Sequence, residues 1–380
     1  MKQKQLLSVT NIFLITLKFI LSVLSYLGNL NFYDIIFMYM RNKNNPLVSI
    51  VIPAHNEEKW INICIQSFLN QTYKNIEIIV INDASIDKTL EILKKYLRIK
   101  VISFNKNQGE AMARTTGVKH SNGNIILQTD ADAEYPKDFI QIAVNEFSKN
   151  KKISGISLGE IKVHKNQKGI IADYWRIKRK ASFLSKQNCK KLATGCVFIK
   201  NVVYDKIGYY DSKMIAGTDV DFSQRMINDH LDIKWLPQLF IRHADPAGLN
   251  IFIKRIYNGA KFTRFYLEKY ELWLNRWGKI TFILRNMLLS FLPIYLLLGL
   301  INKWWFLILI IIFSLESFGP LFFLFEQRTM WIQAIKQKKI LLFFLIPFIL
   351  FLQIRASAYG KLYALFFPDK VKKSVTFDIN

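Results

Sequence analysis

Two aspartates, Asp130 and Asp132, stand two positions apart directly after the apolar run at residues 125–129. Carboxylate oxygens are the ligands that hard divalent cations prefer, so the pair suits Mg²⁺ or Mn²⁺. A cation held there could neutralise negative charge on a diphosphate. The same short acidic pattern also occurs in solvated turns, and the spacing alone leaves both interpretations open.

Two further polar clusters follow apolar runs in the same way. Residues 53–57 (Pro-Ala-His-Asn-Glu) come directly after the first run, and residues 82–85 (Asn-Asp-Ala-Ser) come directly after the second. In open α/β sheets, ligands bind beyond the carboxyl ends of the strands. The clusters are therefore expected to line one crevice. Asp87, which precedes Lys88 and Thr89, is more simply explained as a helix cap.

Residues 217–222 (Gly-Thr-Asp-Val-Asp-Phe) place Asp219 at the predicted mouth of a helix. A carboxylate in that position could act as general base toward a hydroxyl group. It could also be an N-cap that only accepts hydrogen bonds from the helix. Asp221 and Arg225 are four positions apart, so an ordinary helical ion pair would explain both.

Short apolar runs that alternate with helical segments are expected to position these residues. The runs typical of buried parallel strands are residues 47–52, 76–81, 99–104 and 125–129, and the helical segments are about 58–70, 87–97, 108–120 and 136–148. This βαβ series predicts an α/β fold with a doubly wound, mainly parallel sheet. Residues 192–199 and 234–241 are strand-like and are assigned to the second half of the same domain.

Composition narrows the class of protein. The 53 Lys and Arg residues against 28 acidic residues give a formal charge of +25, which favours an anionic partner such as lipid headgroups or nucleotide phosphates. A nucleic-acid partner is not expected, because the chain has no recognition element for one. The 3 cysteines, Cys64, Cys189 and Cys196, form no metal or disulfide pattern and indicate a reducing compartment. The oligomeric state stays open.

Three strongly apolar stretches, residues 282–300, 304–325 and 340–354, predict an all-α membrane region over residues 281–380. Two to four crossings are expected. The loop at residues 326–339 is more basic than residues 302–303, which places it in the cytoplasm. We therefore expect a multi-pass protein of the cell membrane whose globular domain faces the cytoplasm.

Two other segments, residues 251–280 and residues 1–45, each have more than one interpretation. Residues 251–280 mix Phe, Tyr and Trp with Lys and Arg, which is typical of a helix in the headgroup layer or of an amphipathic helix packed on the domain. Residues 1–45 are apolar but contain Lys18. An interfacial or partly inserted helix, a transmembrane anchor and a cleaved signal peptide are the alternatives for this segment.

Five motifs in order resemble those of family 2 glycosyltransferases with the GT-A fold. They are residues 53–57, residues 82–85, residues 107–114 (Asn-Gln-Gly-Glu-Ala-Met-Ala-Arg), residues 130–132 (Asp-Ala-Asp) and residues 217–219 (Gly-Thr-Asp). The resemblance assigns residues 46–250 to a GT-A domain. It implies inverting transfer of a sugar from a UDP- or GDP-sugar by direct displacement, with Mg²⁺ or Mn²⁺ as cofactor.

The resemblance also implies a role for individual residues. The expected donor-binding residues are Pro53, Ala54, Glu57, Asp83, Arg114 and Asp130, of which Ala54, Glu57 and Asp83 would contact the nucleobase and ribose. Asp130 and Asp132 would serve the metal, and Asp219 would be the catalytic base. His243 matches a position where related enzymes place a metal- or phosphate-contacting histidine, although a structural histidine is the alternative.

The chain departs from the family pattern at two places. Thr218 stands where members usually carry Glu before the catalytic Asp, and the Gln-x-x-Arg-Trp motif of processive synthases is absent, since Trp273 precedes Arg276 and Trp277. Transfer of a single sugar to a lipid-linked or glycan acceptor is therefore favoured. A processive polysaccharide synthase and a non-catalytic membrane scaffold with the same fold are the alternatives.

Overall fold

A computed structural model describes residues 45–185, 196–212, 217–245, 248–261 and 321–367. The chain divides into two compact units, Met1–Leu47 and Val48–Asn380. Every helix and strand given below lies in the second unit.

The described elements alternate between strands and helices along the first half of the chain. The strands are β1 (Val48–Ala54), β2 (Ile76–Asn82), β3 (Lys100–Ser103), β4 (Ile125–Gln128), β5 (Ala133–Glu134), β6 (Ile153–Val163), β7 (Val197–Lys200) and β8 (Asp232–His243). The helices are α1 (Ile61–Leu69), α2 (Thr89–Leu93), α3 (Glu110–Lys119), α4 (Phe139–Lys149), α5 (Ile170–Ser185), α6 (Val202–Ile207), α7 (Thr218–Asn228), α8 (Leu249–Lys261), α9 (Leu321–Lys336) and α10 (Ile340–Phe366).

The strands form one mixed, mainly parallel sheet in the order β3-β2-β1-β4-β7-β6-β8-β5. The pairs β3–β2, β2–β1, β1–β4 and β6–β8 are parallel, whereas β7 and β5 pair with their neighbours in the antiparallel sense. The predicted α/β class and mainly parallel sheet are confirmed.

Helices cover both faces of this sheet, because alternate residues of the central strands are buried in different clusters. Ile50 and Ile52 of β1 pack with α1 and α4, while Val51 packs with α3, α6 and α7. A strand buried on both faces reads as a continuous apolar run. Gly117 of α3 lies so close to β1 that an added Cβ would stand 2.2 Å from Val51 Cγ1.

The second half of the sheet was predicted less well. β6 and α5 were not predicted as separate elements, and glycine weakens the strand pattern of β6. Gly159 is needed there, because a Cβ at this position would lie 2.4 Å from the backbone Cα of Pro237. The strand predicted at 192–199 is observed as β7, with residues 192–195 outside the described part. The strand predicted at 234–241 lies within β8.

A third cluster joins α5, α8, α9 and α10 beside the sheet. Phe252 of α8 is fully buried, with its ring 5.7 Å from that of Tyr174 and 5.6 Å from that of Trp175. Gly360 of α10 approaches α8 closely, since an added Cβ would lie 2.3 Å from the carbonyl oxygen of Tyr257. The helix α8, at the start of the basic segment, is thus packed on the domain.

Among the helices in the described ranges, none has the length and apolar character needed to cross a membrane. The all-α membrane region predicted for residues 281–380 is therefore not supported by the described structure. Residues 282–300 and 304–320, from the first two apolar stretches, lie outside the described ranges, as do residues 1–44. The third stretch, residues 340–354, forms the first half of α10.

Candidate active site

The polar clusters meet at the carboxyl ends of β1, β2 and β4, as the βαβ pattern predicts. Asp83 donates its backbone N–H to the carbonyl oxygen of Ala54 at 2.8 Å, and Thr129 donates to that of Val51 at 3.1 Å. Pro53 and Ala54 complete β1, with the Ala54 side chain buried. These bonds bring the three loops into one crevice.

Asp130, Asp132 and His243 form a cluster in which one ligand atom from each residue lies within 4.8 Å of the others. His243 Nε2 lies 3.2 Å from Asp132 Oδ1 and 3.8 Å from Asp130 Oδ2. The short strand β5 creates this arrangement, because Ala133 pairs with His243 at the end of β8. Residues more than a hundred positions apart in sequence therefore converge on one point.

The protonation states of this cluster fit a divalent cation. Burial and then the charge of Asp130 raise the pKa of Asp132, so the two carboxylates repel each other without a cation between them. Burial, followed by the charges of Arg179 and Arg255, lowers the pKa of His243 well below its usual value. A neutral imidazole beside two carboxylate groups is a chemically sound set of metal ligands.

A second layer of residues supports His243. Its Nδ1 is buried and has no hydrogen bond to the described part of the chain, and Asp245 Oδ1 lies 3.7 Å away. Asp245 is itself buried, and its two carboxylate oxygens accept hydrogen bonds from Nε and Nη2 of Arg179. A carboxylate behind a ligating histidine is the usual device that fixes the tautomer and ring orientation. Sequence analysis missed Asp245 and Arg179, although Asp245 follows His243 by two positions.

Arg114 of α3 is buried beside the acidic pair, and its guanidinium donates hydrogen bonds to other protein groups. Its Nη2 donates to Asp130 Oδ1 at 2.6 Å, its Nη1 to the Thr129 carbonyl oxygen at 3.2 Å, and its Nε to Glu110 Oε1 at 2.7 Å. Burial opposes the charged form, but Glu110 and Asp130 raise the pKa of Arg114 above its usual value. The geometry shows a residue that orients Asp130; contact with a donor stays a prediction.

Asp83 fixes the loop before α3. Its Oδ1 accepts the Gln108 N–H at 2.7 Å, and its Oδ2 accepts the Gly109 N–H at 2.9 Å. Gly109 has a φ of 84°, a conformation that glycine adopts without strain. Each carboxylate oxygen keeps a second acceptor site, so the predicted nucleotide contact is compatible with this loop role.

Glu57 lies at the start of the segment leading to α1 and faces the acidic pair. Burial, followed by the charges of Asp130 and Asp87, raises its pKa to about 7. Asp87 accepts the Thr89 N–H at 2.9 Å and the Glu58 N–H at 3.0 Å. The N-cap residue of α2 is Lys88, so the prediction of Asp87 as the cap is wrong by one position. The Asp87 carboxylate still accepts the N–H of the first helical residue, and it holds the Glu57 segment in place.

Asp219 lies in the first turn of α7, and Gly217, with a φ of 73°, is the N-cap residue. The N-cap alternative for Asp219 is therefore wrong. Its Oδ2 is buried without a hydrogen bond to the described residues. Burial raises the pKa of Asp219, which Glu110 also raises and Arg114 lowers. Arg114 also pairs with Asp130, so the charge of one guanidinium acts on both the candidate base and the acidic pair.

The neighbouring charged pair of α7 is structural. Arg225 Nε donates to Asp221 Oδ2 at 3.0 Å, and Asp221 is fully buried. Arg225 also donates to the carbonyl oxygens of Ile207 at 2.5 Å and Tyr209 at 2.9 Å. The predicted helical ion pair is confirmed, and it anchors the loop after α6.

Comparisons with known proteins agree with this geometry. Residues 49–208 match the model of the family described as "Glycosyl transferase family 2". Two proteins of Haemophilus influenzae, both named uncharacterized glycosyltransferase, are 38% and 40% identical over 28% and 35% of this chain. The aligned segments span 44% and 43% of those relatives, less than half of their length.

Two longer alignments extend the comparison. A Methanococcus voltae protein is 27% identical over 56% of this chain and 72% of its own length; it is named dolichyl N-acetyl-alpha-D-glucosaminyl phosphate 3-beta-D-2,3-diacetamido-2,3-dideoxy-beta-D-glucuronosyltransferase. The structure of a mannosyltransferase from Pyrobaculum calidifontis, described as a complex with GDP-Man and Mn²⁺, has a TM-score of 0.54. It covers 88% of this chain and 94% of that one at 16% identity, a likeness of fold alone.

The sheet is consistent with the GT-A fold, and the family match begins in β1 and ends just after α6. Together the family match and the relatives show that residues 49–208 are similar to family 2 glycosyltransferases.

Proposed function

We propose that this chain transfers a single sugar from a UDP- or GDP-sugar to a lipid-linked acceptor, with inversion at the anomeric carbon. The observation that carries the proposal is the cluster of Asp130, Asp132 and His243, together with Arg114, which pairs with Asp130 and whose charge also acts on the buried carboxylate of Asp219. The Pyrobaculum calidifontis mannosyltransferase is described as a complex with GDP-Man and Mn²⁺, which supports the same donor class and cofactor here.

Asp219 would accept the proton of an acceptor hydroxyl as its oxygen attacks the anomeric carbon, while the bond to the nucleoside diphosphate breaks on the opposite side. Burial raises the pKa of Asp219, which makes its carboxylate a stronger base. Its buried Oδ2 has an acceptor site available for that hydroxyl. Arg114 would hold Asp130 in place during the step.

Mg²⁺ or Mn²⁺ would be held by Asp130, Asp132 and His243. When bound, the cation would neutralise charge on the leaving diphosphate. The imidazole ligand favours a transition ion, hence Mn²⁺, over Mg²⁺. Asp245 and Arg179 would keep Nε2 of His243 directed at the cation.

The lipid-linked acceptor is supported by the surface of α8 and α10. Neither helix contains an acidic residue, whereas α8 carries Lys254, Arg255 and Lys261. An apolar groove of about 480 Å³ runs between the two helices, with Tyr257 and Tyr363 among its lining residues. Lys261 lies beside this groove, with its ammonium 4.5 Å from the ring centroid of Tyr257, and a basic side chain beside an apolar groove suits an anionic lipid layer. The Methanococcus voltae relative, whose name specifies a dolichyl-linked acceptor, supports the same class.

The location at the membrane is part of this proposal. It rests on the apolar stretches at residues 282–300 and 304–325 and on the basic residues 326–339. The structure places residues 326–336 in α9 and not in the predicted loop. We propose a multi-pass protein of the cell membrane whose GT-A domain faces the cytoplasm, where nucleotide sugars would reach the crevice.

The test is nucleotide release by the detergent-solubilised full chain from a panel of UDP- and GDP-sugars, with Mn²⁺ and with or without membrane lipid extract. We expect one donor to give lipid-stimulated release and a lipid product that carries one added sugar. A product with many added sugars would support the processive alternative. An absence of both nucleotide release and nucleotide binding would support the scaffold alternative.

Variants of the same chain test the assigned roles. Asp219→Asn removes the base, so transfer should fall by roughly 10²–10⁴ while donor binding is kept. Asp130→Ala should instead weaken Mn²⁺-dependent donor binding. Asp232→Asn, at an exposed position that begins β8, is the matched control and should retain full activity. Full transfer by Asp219→Asn would overturn the role of the base.

A further inference from the structure

A basic cavity lies at the edge of the sheet, outside the metal and base cluster. Its volume is about 400 Å³, and it is enclosed by the last residues of β6 and β8 and by α5 and α9. Its charged lining residues are Glu160, Lys162, Lys165, Arg176, Lys180 and Arg242. Gln333 of α9 and Gln337, just after that helix, add side-chain amide groups, which can donate hydrogen bonds.

The cations of this cavity exceed the carboxylates that could balance them. Glu160 is shared between Lys180, at 3.3 Å, and Lys162, at 3.6 Å. Lys165 forms no ion pair with any described residue. Each pair at a part-exposed surface is weak, and a shared carboxylate cannot neutralise two ammonium groups. The excess positive charge of the cavity therefore favours binding of an anion.

The two arginines of the cavity also share their carboxylate partners with other basic residues. Arg176 pairs with Asp173 at 2.7 Å, but the same carboxylate accepts Lys339 at 2.9 Å. Arg242 lies 3.9 Å from Glu134, which also contacts His164. Arginine and lysine together are the usual ligands of phosphate oxygens, because they supply both charge and several N–H donors.

The cavity adjoins the catalytic crevice but lies on the other face of the sheet. Arg242 and His243 are consecutive in β8, and consecutive strand residues point to opposite faces. Lys162 pairs with Arg242 in the register of β6 and β8, so these two cations share the face away from His243. Glu134, two positions after Asp132, lies 3.9 Å from Arg242, so the two sites are near each other along β5 and β8.

We propose that this cavity binds a phosphate group of the acceptor, at a distance from the hydroxyl that attacks the donor. This inference rests on the proposed function. The donor diphosphate belongs with Asp130 and Asp132, so it does not account for a second cationic site. Since the cavity faces away from His243, the phosphate held there is not the nucleophile. The acceptor is thus a glycosyl phosphate or diphosphate, in which a sugar hydroxyl attacks.

The experiment measures binding of octyl N-acetylglucosaminyl phosphate, octyl N-acetylglucosaminide and inorganic phosphate to the detergent-solubilised full chain. EDTA keeps divalent cations out of the donor site. We expect the glycosyl phosphate to bind at least about tenfold more tightly than the glycoside. The double variant Lys162→Gln/Lys165→Gln should bind the glycosyl phosphate about tenfold more weakly, because it lacks two part-exposed charges that would pair with the phosphate. Lys168→Gln, on the same loop but outside the cavity, should bind within about twofold of the unaltered chain.

Equal binding of the phosphorylated and unphosphorylated probes, or unchanged affinity in the double variant, would overturn the inference. Lysine-dependent binding of inorganic phosphate without binding of the glycosyl phosphate would overturn the assignment to an acceptor. Release of nucleotide from the donor without acceptor is measured in parallel. Lysine-dependent binding of the glycosyl phosphate by a chain that releases no nucleotide would confirm the phosphate site and overturn the proposed function.

Discussion

Replacing Arg114 by Met tests whether the buried guanidinium stabilises the folded domain by offsetting the negative charge of the acidic pair. Arg114 is 4% exposed, so the substitution removes a buried charge and leaves a side chain of similar length. The Asp130 carboxylate, 27% exposed, then loses its 2.6 Å partner. Glu110 also loses its partner but is 56% exposed, so water can replace the guanidinium there.

The magnitude follows from these contacts. Loss of the charge-assisted hydrogen bond to Asp130 costs roughly 1.5–3 kcal/mol. The Thr129 carbonyl oxygen, left without its 3.2 Å donor, adds about 1 kcal/mol. The pair with exposed Glu110 adds little. The variant has no guanidinium to remove from water on folding, which stabilises it and partly offsets these losses. We expect a net destabilisation of roughly 2–4 kcal/mol near pH 8.

The loss should depend on pH, with a defined sign. Burial raises the folded-state pKa of Asp130 above its unfolded value, and Arg114 opposes that rise. A carboxyl whose folded pKa is raised binds its proton more tightly in the folded state, so stability falls as pH rises through that pKa. Removing Arg114 raises the pKa further. The variant therefore loses additional stability at pH values above the folded-state pKa of Asp130 in the unaltered protein. The loss is about 1.4 kcal/mol for each unit by which the substitution raises that pKa.

The assay is urea unfolding of the detergent-solubilised chain in EDTA at about pH 5 and about pH 8. Arg114→Met should be clearly less stable at the higher pH, and Arg114→Lys, which keeps the charge, should show a smaller difference. Arg98→Met is the control at an exposed site and should change stability by less than about 0.5 kcal/mol. A loss for Arg114→Met that is equal at both pH values would refute the electrostatic explanation and leave only packing.

Three further substitutions probe separate contacts. Asp245→Asn should weaken Mn²⁺ binding by about 10–100-fold, because His243 loses the carboxylate that orients it; unchanged affinity in a Mn²⁺ titration would show that this carboxylate is dispensable. Gly360→Ala places a Cβ 2.3 Å from the carbonyl oxygen of Tyr257 and should cost about 1–3 kcal/mol in urea unfolding, unless α8 and α10 separate easily. Gly117→Ala drives a Cβ into β1 and should cost a similar amount; an unaltered unfolding midpoint would argue against the close contact of α3 with the sheet.

Local patterns were sufficient for the first half of the domain. The strands β1, β2, β3 and β4 are apolar runs separated by helical segments, and each was predicted as a buried parallel strand. All four are parallel, but β3 lies at the edge of the sheet and is partly exposed. Parallel strands bring their carboxyl ends to one edge, so the positions of Glu57, Asp83 and Asp130 near one another followed from sequence. The hydrogen bond from the Thr89 N–H to Asp87 is a local contact of the same kind, although the N-cap residue itself is Lys88.

Long-range pairing decided the remainder. Nothing local to His243 distinguishes a metal ligand from a structural histidine; the pairing of β5 with β8 places it beside Asp132. Asp245 and Arg179 are 66 positions apart and meet only after α5 packs on the sheet. The basic cavity is likewise assembled from four elements. Periodicity and capping act within a few residues of the chain, so the sequence by itself determined the strands and their polar ends, whereas the metal cluster, its supporting carboxylate and the cavity required the folded sheet.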